Sequence, residues 1–172
     1  KTPSEIDKMR ESCQIIAGLL DSLHELIKPG VNTLDLDAYA EEYIRSRGGT
    51  PSFKGYQIPG LNPFPGSICA SVNSAIVHGI PSAKVVLKEG DIIGIDVGVV
   101  KEGYHGDAAR SYRVGEISSA AENLMQITET SLYLGIAAAI PGNRVGDISH
   151  AIGSFIGKNG YYVADNLTGH GI

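Results

Sequence analysis

Cysteine is scarce in this 172-residue sequence, and long apolar runs are missing from it. The two cysteines, Cys13 and Cys69, are too few for a disulfide framework, so we expect a reducing, cytoplasmic setting. No apolar run approaches the roughly 18 residues of a membrane span, and the polar first residues do not resemble a signal peptide. We therefore expect no membrane partner.

Positive charge is also scarce. The formal net charge is −5, which argues against nucleic acid as a partner, because binding to phosphates usually needs a basic surface. No glycine-rich nucleotide-binding pattern lies between a strand and a helix. Glycine, in contrast, is abundant: 22 residues indicate tight turns and close backbone approaches, which are common around functional sites.

Capping signals and apolar spacing predict the elements. Thr2-Pro3-Ser4-Glu5 is typical of a helix start, and Pro29-Gly30 of a helix end. The apolar face predicted for this helix comprises Ile6, Met9, Cys13, Ile16, Leu20, Leu23 and Ile27. The other predicted elements are a helix over 34–47 after a Thr33 cap, a loop over 50–67, strands over 68–71 and 85–114, a helix that opens with the capping box Ser119-x-x-Glu122, and a helix over 146–158.

The chain repeats itself at an offset of 112 residues. Residues 29–48 align with residues 141–160, so that a Pro-Gly break, a second helix and a glycine stop recur in the same order. This repeat predicts two related halves, over about 1–114 and about 119–172. The first half continues past His78-Gly79-Ile80 into predicted strands, whereas the second ends at His170-Gly171-Ile172. We therefore expect the second half to be incomplete.

The run from Asp91 to Asp107 predicts a β-hairpin. A turn centred between Lys101 and Glu102 would place Asp96 directly opposite Asp107, with Cβ atoms about 5 Å apart; a longer loop with a bulge would shift this pairing. Facing carboxylates repel unless they are protonated, paired with a cationic side chain or bridged by a metal ion. The spacing leaves two interpretations open: a divalent metal site, or one solvated aspartate and one paired with an arginine. The candidate arginines are Arg110 and Arg113.

Glycines flank His170, and close approach of a ligand is easy at such a position. A lone histidine of this kind is nevertheless more often a plain loop residue. His78 has a similar setting, and we interpret His105 as a polar residue at the end of the hairpin. Cys69 follows an apolar residue in a predicted strand, so a buried pocket wall is favoured over a nucleophile.

Together these residues resemble the type I methionine aminopeptidases over nearly the whole chain. The segments that carry the resemblance are 1–10, 28–31, the Ser-Val-Asn…His-Gly-Ile-Pro segment 71–81, the hairpin 90–107 and the Gly-His-Gly-Ile segment 169–172. The resemblance implies an α+β pita-bread fold, in which two pseudo-symmetric α/β halves surround a curved antiparallel sheet. It also implies a single catalytic domain over 1–172 whose second half is truncated.

The resemblance further implies a site for two divalent metal ions, drawn from Co, Mn, Fe, Zn and Ni. Asp96, Asp107 and His170 would be the metal ligands, with Asp107 bridging both ions, and His78 would contact the substrate near the scissile amide. The methionine pocket would be lined by Cys69, Tyr56 and Phe64. The family's two glutamate ligands and its second substrate histidine would lie beyond residue 172, and the stretch 57–63 is longer than in the commonest bacterial members.

The implied activity is removal of the N-terminal methionine from nascent polypeptides, with the nascent peptide as substrate and the ribosome as a transient partner. Three alternatives stay open on the sequence alone. The first is an X-Pro aminopeptidase on the same fold. The second is a non-catalytic pita-bread module that binds peptides, and the third is an inactive truncated form.

Overall fold

The computed structural model describes residues 1–57, 59–60, 62–165 and 167–172. The chain divides into two compact units, Lys1–Ile117 together with Ile172, and Ser118–Gly171. Their order along the chain is α1, α2, β1, β2, β3 and β4 in the first unit, followed by α3 and α4 in the second. The assignment of all 172 residues to one catalytic domain stays a prediction.

Two helices open the first unit. Helix α1 spans Pro3–Leu23, and the predicted capping box at Thr2 is confirmed: its hydroxyl accepts from the Glu5 N–H, and the Glu5 carboxylate accepts from the Thr2 N–H. Helix α2 spans Thr33–Ser46, and its cap is Asn32, not the predicted Thr33. The Thr33 hydroxyl instead donates to the Ser82 carbonyl and accepts from the Ser82 N–H. These two hydrogen bonds connect α2 to the loop before β3.

The predicted apolar face of α1 is wrong in its first turns. Ile6 is 45% exposed and Cys13 is exposed. The buried side chains are Ser12, Ile15, Ile16, Leu19, Leu20 and Leu23. The helix meets the sheet where β4 has a glycine: an ideal Cβ on Gly106 would lie 2.9 Å from the Cys13 nitrogen. This close approach turns Ser12 inward, and its hydroxyl donates to the Tyr104 carbonyl at 2.7 Å.

A four-stranded antiparallel sheet completes the first unit. Its strands are β1 (Thr50–Pro51), β2 (Ile68–Val72), β3 (Ile92–Lys101) and β4 (Tyr104–Arg113). Strand β3 is central, with β1 and β2 along one edge and β4 along the other. The strand predicted from residue 85 begins only at Ile92, because Gly90 turns the chain at a φ of 88° and Asp91 binds the Lys88 N–H.

The hydrophobic core lies between the two helices and one face of this sheet. It contains the completely buried side chains of β3 on that face, namely Ile93, Ile95, Val97 and Val99. Leu19 and Leu23 of α1 and Leu36 and Ile44 of α2 cover them, each at most 1% exposed. Burial of this apolar surface fixes which face of β3 points away from the helices.

The second unit contains α3 (Ser119–Ala138) and α4 (Val145–Lys158). The cap of α3 is Ser118, one residue before the predicted position. The two helices pack at Gly135, where an ideal Cβ would lie 2.7 Å from Ile152. None of the described residues belongs to a helix that is both long and apolar enough to cross a membrane.

Some bounds of the elements recur at the offset of the predicted repeat, whose division of the chain into two halves stays a prediction. Helices α2 and α4 have 14 residues each, and their first residues, Thr33 and Val145, differ by the predicted 112 positions. The glycines that precede them, Gly30 and Gly142, have φ values of 93° and 97°. Each unit therefore has a helix, a glycine turn and a 14-residue helix in the same order.

Candidate metal centre and substrate site

The face of β3 that points away from the helices carries small residues around one carboxylate. Asp96 lies between Gly94 and Gly98 on this face, because side chains alternate along a strand. Asp96 is partly buried, whereas its neighbours Ile95 and Val97 are completely buried on the opposite face. Gly94 and Gly98 have no side chains that would crowd the carboxylate.

The register of the hairpin differs from the prediction by two residues. Lys101 pairs with Tyr104, and the turn consists of Glu102 and Gly103, whose φ values are 50° and 81°. Both φ values are positive, which suits a two-residue type I′ turn. This turn centres the hairpin one residue later than predicted.

Because of this shift, Asp96 pairs with Ala109, and Asp107 pairs with Gly98. The prediction of directly opposed aspartates is therefore wrong: the two are diagonal neighbours. A two-residue shift keeps both side chains on one face, since the side-chain period of a strand is two residues.

The two carboxylates interact strongly. The pKa of Asp96 is raised to about 6, chiefly by burial and next by the Asp107 charge, while the charge of His78 lowers it. A hydrogen-bonding contact with the Asp107 side chain adds to the increase. The alternative in which Arg110 neutralises one aspartate is wrong, because Arg110 pairs with Asp21 of α1 at 2.6 Å. Two interacting carboxylates, one of them partly buried, suit a cation, so the donor set fits divalent metal.

Cys69 lies beside this pair. It is the β2 partner of Asp96 in the ladder and is 5% exposed. The pKa of its thiol is raised to about 12, chiefly by burial and then by the charges of Asp96, Asp107 and Asp37. The sulfur therefore stays protonated at neutral pH, which suits a pocket wall and not a nucleophile.

His78 is held near the aspartates by its backbone. Its φ is 58°, a left-handed conformation that is uncommon outside glycine. The next residue, Gly79, is bonded on both sides to β2: its N–H donates to the Ser71 hydroxyl at 3.1 Å, and its carbonyl accepts from the Ala70 N–H at 2.8 Å. The structure thus brings together Asp96, Asp107, His78 and Cys69.

Tyr56 and Phe64 close the loop that precedes β2. The Phe64 N–H donates to the Tyr56 carbonyl, and the Gly55 N–H donates to the Phe64 carbonyl, both at 2.8 Å. Tyr56 is 65% exposed and Phe64 is partly buried. Their pocket role stays a prediction, and Ile58 and Leu61, within the stretch 57–63, lie outside the described residues.

His170 belongs to the second unit, in a stretch without regular secondary structure. It is exposed, and its Nδ1 lies 3.2 Å from the Gly171 carbonyl oxygen. Among the residues that the structure describes, no group of three or more His, Cys, Asp or Glu side chains could hold a metal ion. A role for His170 as a third ligand therefore stays a prediction. His105 lies at the end of the hairpin, with its Nδ1 3.0 Å from the Ser52 hydroxyl.

Two residues near the site were not predicted. Phe53 lies over Gly98, where an ideal Cβ would come within 2.7 Å of its ring, so an aromatic wall borders the aspartates. Asp37 of α2 is 6% exposed, and its Oδ1 accepts from the Ser67 N–H at 2.6 Å and the Ile68 N–H at 3.0 Å. The sequence signal for Asp37 is a polar residue among the apolar positions of a helix. Phe53 has no such signal, because it lies in a loop and loops have no periodicity.

Known proteins show the family to which this chain belongs. Residues 7–172 match the metallopeptidase family M24, and the chain belongs to this family. Relatives that match over the whole chain include methionine aminopeptidases. Methionine aminopeptidase 1 of Bacillus subtilis (strain 168) is 48% identical over 172 residues, which are 100% of this chain and 67% of that protein.

Solved structures similar to this chain include peptidases of the same kind. The methionine aminopeptidase of Thermotoga maritima is 37% identical, with a TM-score of 0.95 over 100% of this chain and 67% of that chain. A Xaa-Pro dipeptidase of Bacillus anthracis is 26% identical, with a TM-score of 0.79 over 94% of this chain and 42% of that chain. The pita-bread fold is thereby confirmed, and the chain spans about two thirds of the length of its methionine aminopeptidase relatives.

Proposed function

We propose that the protein removes the N-terminal methionine from nascent polypeptides by hydrolysis assisted by two divalent metal ions. The observation that carries this proposal is the sheet face on which Asp96 and Asp107 interact beside His78 and Cys69. Membership of a metallopeptidase family and relatives named methionine aminopeptidase support it.

Asp96, Asp107 and His170 would hold the metal ions. Divalent ions at such a site supply Lewis-acid activation of the scissile carbonyl and of water. Oxygen and imidazole donors are compatible with Co, Mn, Fe, Zn and Ni, so the donor set does not select one metal.

The remaining residues bind and orient the peptide. The uncharged thiol of Cys69 offers an apolar wall for an unbranched methionine side chain, and Tyr56 and Phe64 would extend that wall. His78 would hydrogen-bond the peptide near the scissile amide. The expected substrate is a nascent chain, so the ribosome would be a transient partner and the cytoplasm the site of action.

The test is methionine release from a Met-Ala-Ser peptide by the full-length protein, stripped of metal and supplied with Mn, Co or Fe. We expect release with at least one metal and at least a tenfold loss of kcat/KM on His78→Ala, since a group that acts on the transition state contributes about this much or more. No release with any of the three metals would overturn the proposal.

An X-Pro peptide in the same assay tests the rival peptidase activity. Preferential cleavage of the X-Pro peptide would replace methionine removal with that function. Calorimetric titration of the 172-residue chain with Mn tests the metal ligands separately: Asp96→Asn and Asp107→Asn should weaken binding, whereas Glu42→Gln, on the exposed surface of α2, should not. Metal binding without cleavage of either peptide would favour a non-catalytic or inactive form.

A further inference from the structure

Residues 73–79 form a loop between β2 and the segment that leads to β3; we call it the His78 loop. We propose that Ser71 and Asn73 are positioning residues that fix the two ends of the His78 loop and so hold His78 near the carboxylate pair. The inference rests on the proposed function for its catalytic consequence. Neither residue is one of the predicted metal ligands or pocket residues.

Asn73 fixes the first end. Its N–H donates to the Ile92 carbonyl at 2.9 Å, and its Oδ1 accepts from the Ile92 N–H at 3.0 Å, which continues the β2–β3 ladder by one step beyond Val72. Its Nδ2 donates to Asp91 Oδ1 at 2.8 Å, and Asp91 Oδ2 accepts from the Lys88 N–H at 2.8 Å. Asn73 also has a φ of 51°, a left-handed conformation that asparagine tolerates better than most residues.

Ser71 fixes the second end. Its side chain is 6% exposed and pairs across the ladder with Gly94, so it lies on the same face as Asp96. The Ser71 hydroxyl accepts from the Gly79 N–H at 3.1 Å, directly after His78. Gly79 lies so close to β2 that an ideal Cβ would be 2.2 Å from the Ala70 carbonyl oxygen. The loop end is thus held by main-chain contacts that only glycine permits.

Among the residues that the structure describes, few other contacts hold the loop. Ile76 is 72% exposed and Val77 is 44% exposed, so the side chains between the ends contribute little packing. The Ala75 N–H donates to the Val72 carbonyl at 3.1 Å, which is a local turn bond near the first end. The left-handed conformation of His78 must therefore be imposed from the ends of the loop.

A double-mutant cycle in the full-length protein tests the catalytic consequence. Ser71→Ala should lower kcat for Met-Ala-Ser by about tenfold with a smaller change in KM, because one hydrogen bond to the loop is lost. In a His78→Ala background the same substitution should have almost no further effect, because Ser71 acts through His78. Asn73→Ala should behave in the same way, and Ser71→Thr, which keeps the hydroxyl, should restore most of kcat.

Ser12→Ala is the matched control. Ser12 is completely buried in the same unit and also hydrogen-bonds backbone, but on the opposite face of the sheet. Its substitution should lower stability, and any effect on kcat should be the same with and without His78. If the effects of Ser71→Ala and His78→Ala multiplied independently, Ser71 would have only a structural role and the inference would be overturned.

Amide hydrogen exchange in the 172-residue chain gives a readout that needs no activity. Ser71→Ala should speed exchange of the Gly79 amide by roughly tenfold or more, since its acceptor is lost, and Ser12→Ala should leave it unchanged. Unchanged Gly79 exchange in Ser71→Ala would overturn the inference. If the wild-type protein released no methionine, the proposed function would fail, and Gly79 exchange alone would decide whether Ser71 fixes the loop.

Discussion

At the scale of single residues, the ionised carboxylate of Asp96 opposes folding. Its carboxylate is partly buried beside Asp107, and burial together with the Asp107 charge raises its pKa to about 6 from a usual value of 3.8. The folded chain therefore binds the proton of the Asp96 carboxyl group more tightly than the unfolded chain does. The ionised form destabilises the fold above about pH 6, and the penalty is relieved as the pH falls from 6 toward 3.8.

We expect Asp96→Asn to stabilise the metal-free chain at pH 7. The gain should be about 1–3 kcal/mol in the free energy of unfolding, because the substitution removes a partly buried charge next to Asp107. Urea denaturation in the presence of a chelator measures this gain, which should shrink at pH 4. Glu42→Gln, an exposed carboxylate of α2, should change stability little at either pH. A gain as large at pH 4 as at pH 7 would contradict the charge argument.

Asp37 stabilises the start of β2, and through it the position of Cys69. Asp37→Ala would leave the Ser67 and Ile68 N–H groups without their acceptor, so we expect a loss of about 2–4 kcal/mol in the free energy of unfolding. Asp37→Asn should lose less, since its amide oxygen can still accept. Chemical denaturation measures both values.

The matched control for Asp37 is Asp35→Asn, an exposed position in the first turn of the same helix, which should change stability by a few tenths of a kcal/mol. Equal losses for Asp37→Asn and Asp37→Ala would show that the charge, and not the acceptor, matters at position 37.

At the scale of elements, the β3–β4 turn sets the geometry of the carboxylates. Glu102 occupies the first turn position with a φ of 50°, where asparagine is favoured, and Gly103 occupies the second with a φ of 81°. The ion pair between Glu102 and Lys8 is exposed and 3.5 Å long, so it contributes little. The turn is therefore held by its backbone.

Substitutions in this turn should have opposite effects on stability. Glu102→Asn should stabilise the chain by about 0.5–1 kcal/mol, because asparagine adopts the left-handed conformation more easily. Gly103→Ala should destabilise it by about 1–2 kcal/mol. Thermal unfolding measures both, and Glu102→Gln separates the ion pair from the backbone effect. A loss of stability on Glu102→Asn would show that the turn does not have this conformation.

The elements also show what sequence reasoning could and could not reach. The sequence predicts helix starts to within a residue or two, because capping and glycine signals are local. The face shared by Asp96 and Asp107 was predicted correctly, since it depends only on the two-residue period of a strand. The exact pairing was not, because it depends on turn conformation. The buried face of α1 was missed because the approach of Gly106, distant in sequence, decides it.

At the scale of the whole molecule, burial is unevenly distributed. Among the described residues, every large apolar side chain that is buried lies in the first unit. Helix α4 has no buried residue, and α3 buries only Ser131 and Gly135. Several large side chains of the second unit are more than half exposed, namely Leu132, Tyr133, Ile136, Ile140 and Val145.

Native-state hydrogen exchange of the 172-residue chain should reflect this difference. Amides of β3 should exchange only on global unfolding, whereas amides of α3 and α4 should exchange roughly 100-fold faster or more through local opening, because few apolar contacts stabilise them. The measurement is a residue-by-residue exchange rate as denaturant is added below the unfolding transition. Equal protection of α4 and β3 would show that the two units unfold together.

The hairpin has a consequence for how such proteins can tolerate insertions and deletions. The last ladder pair before the turn is Lys101 and Tyr104. Asp96 lies five positions before Lys101, and Asp107 lies three positions after Tyr104. Both counts are odd, which is why the carboxylates share a face. The turn can gain residues without moving either carboxylate, and each strand arm can change length by two. A single-residue deletion in either arm would put one carboxylate into the hydrophobic core. Natural length variation around this site should therefore occur in the turn, or in pairs of residues within the arms.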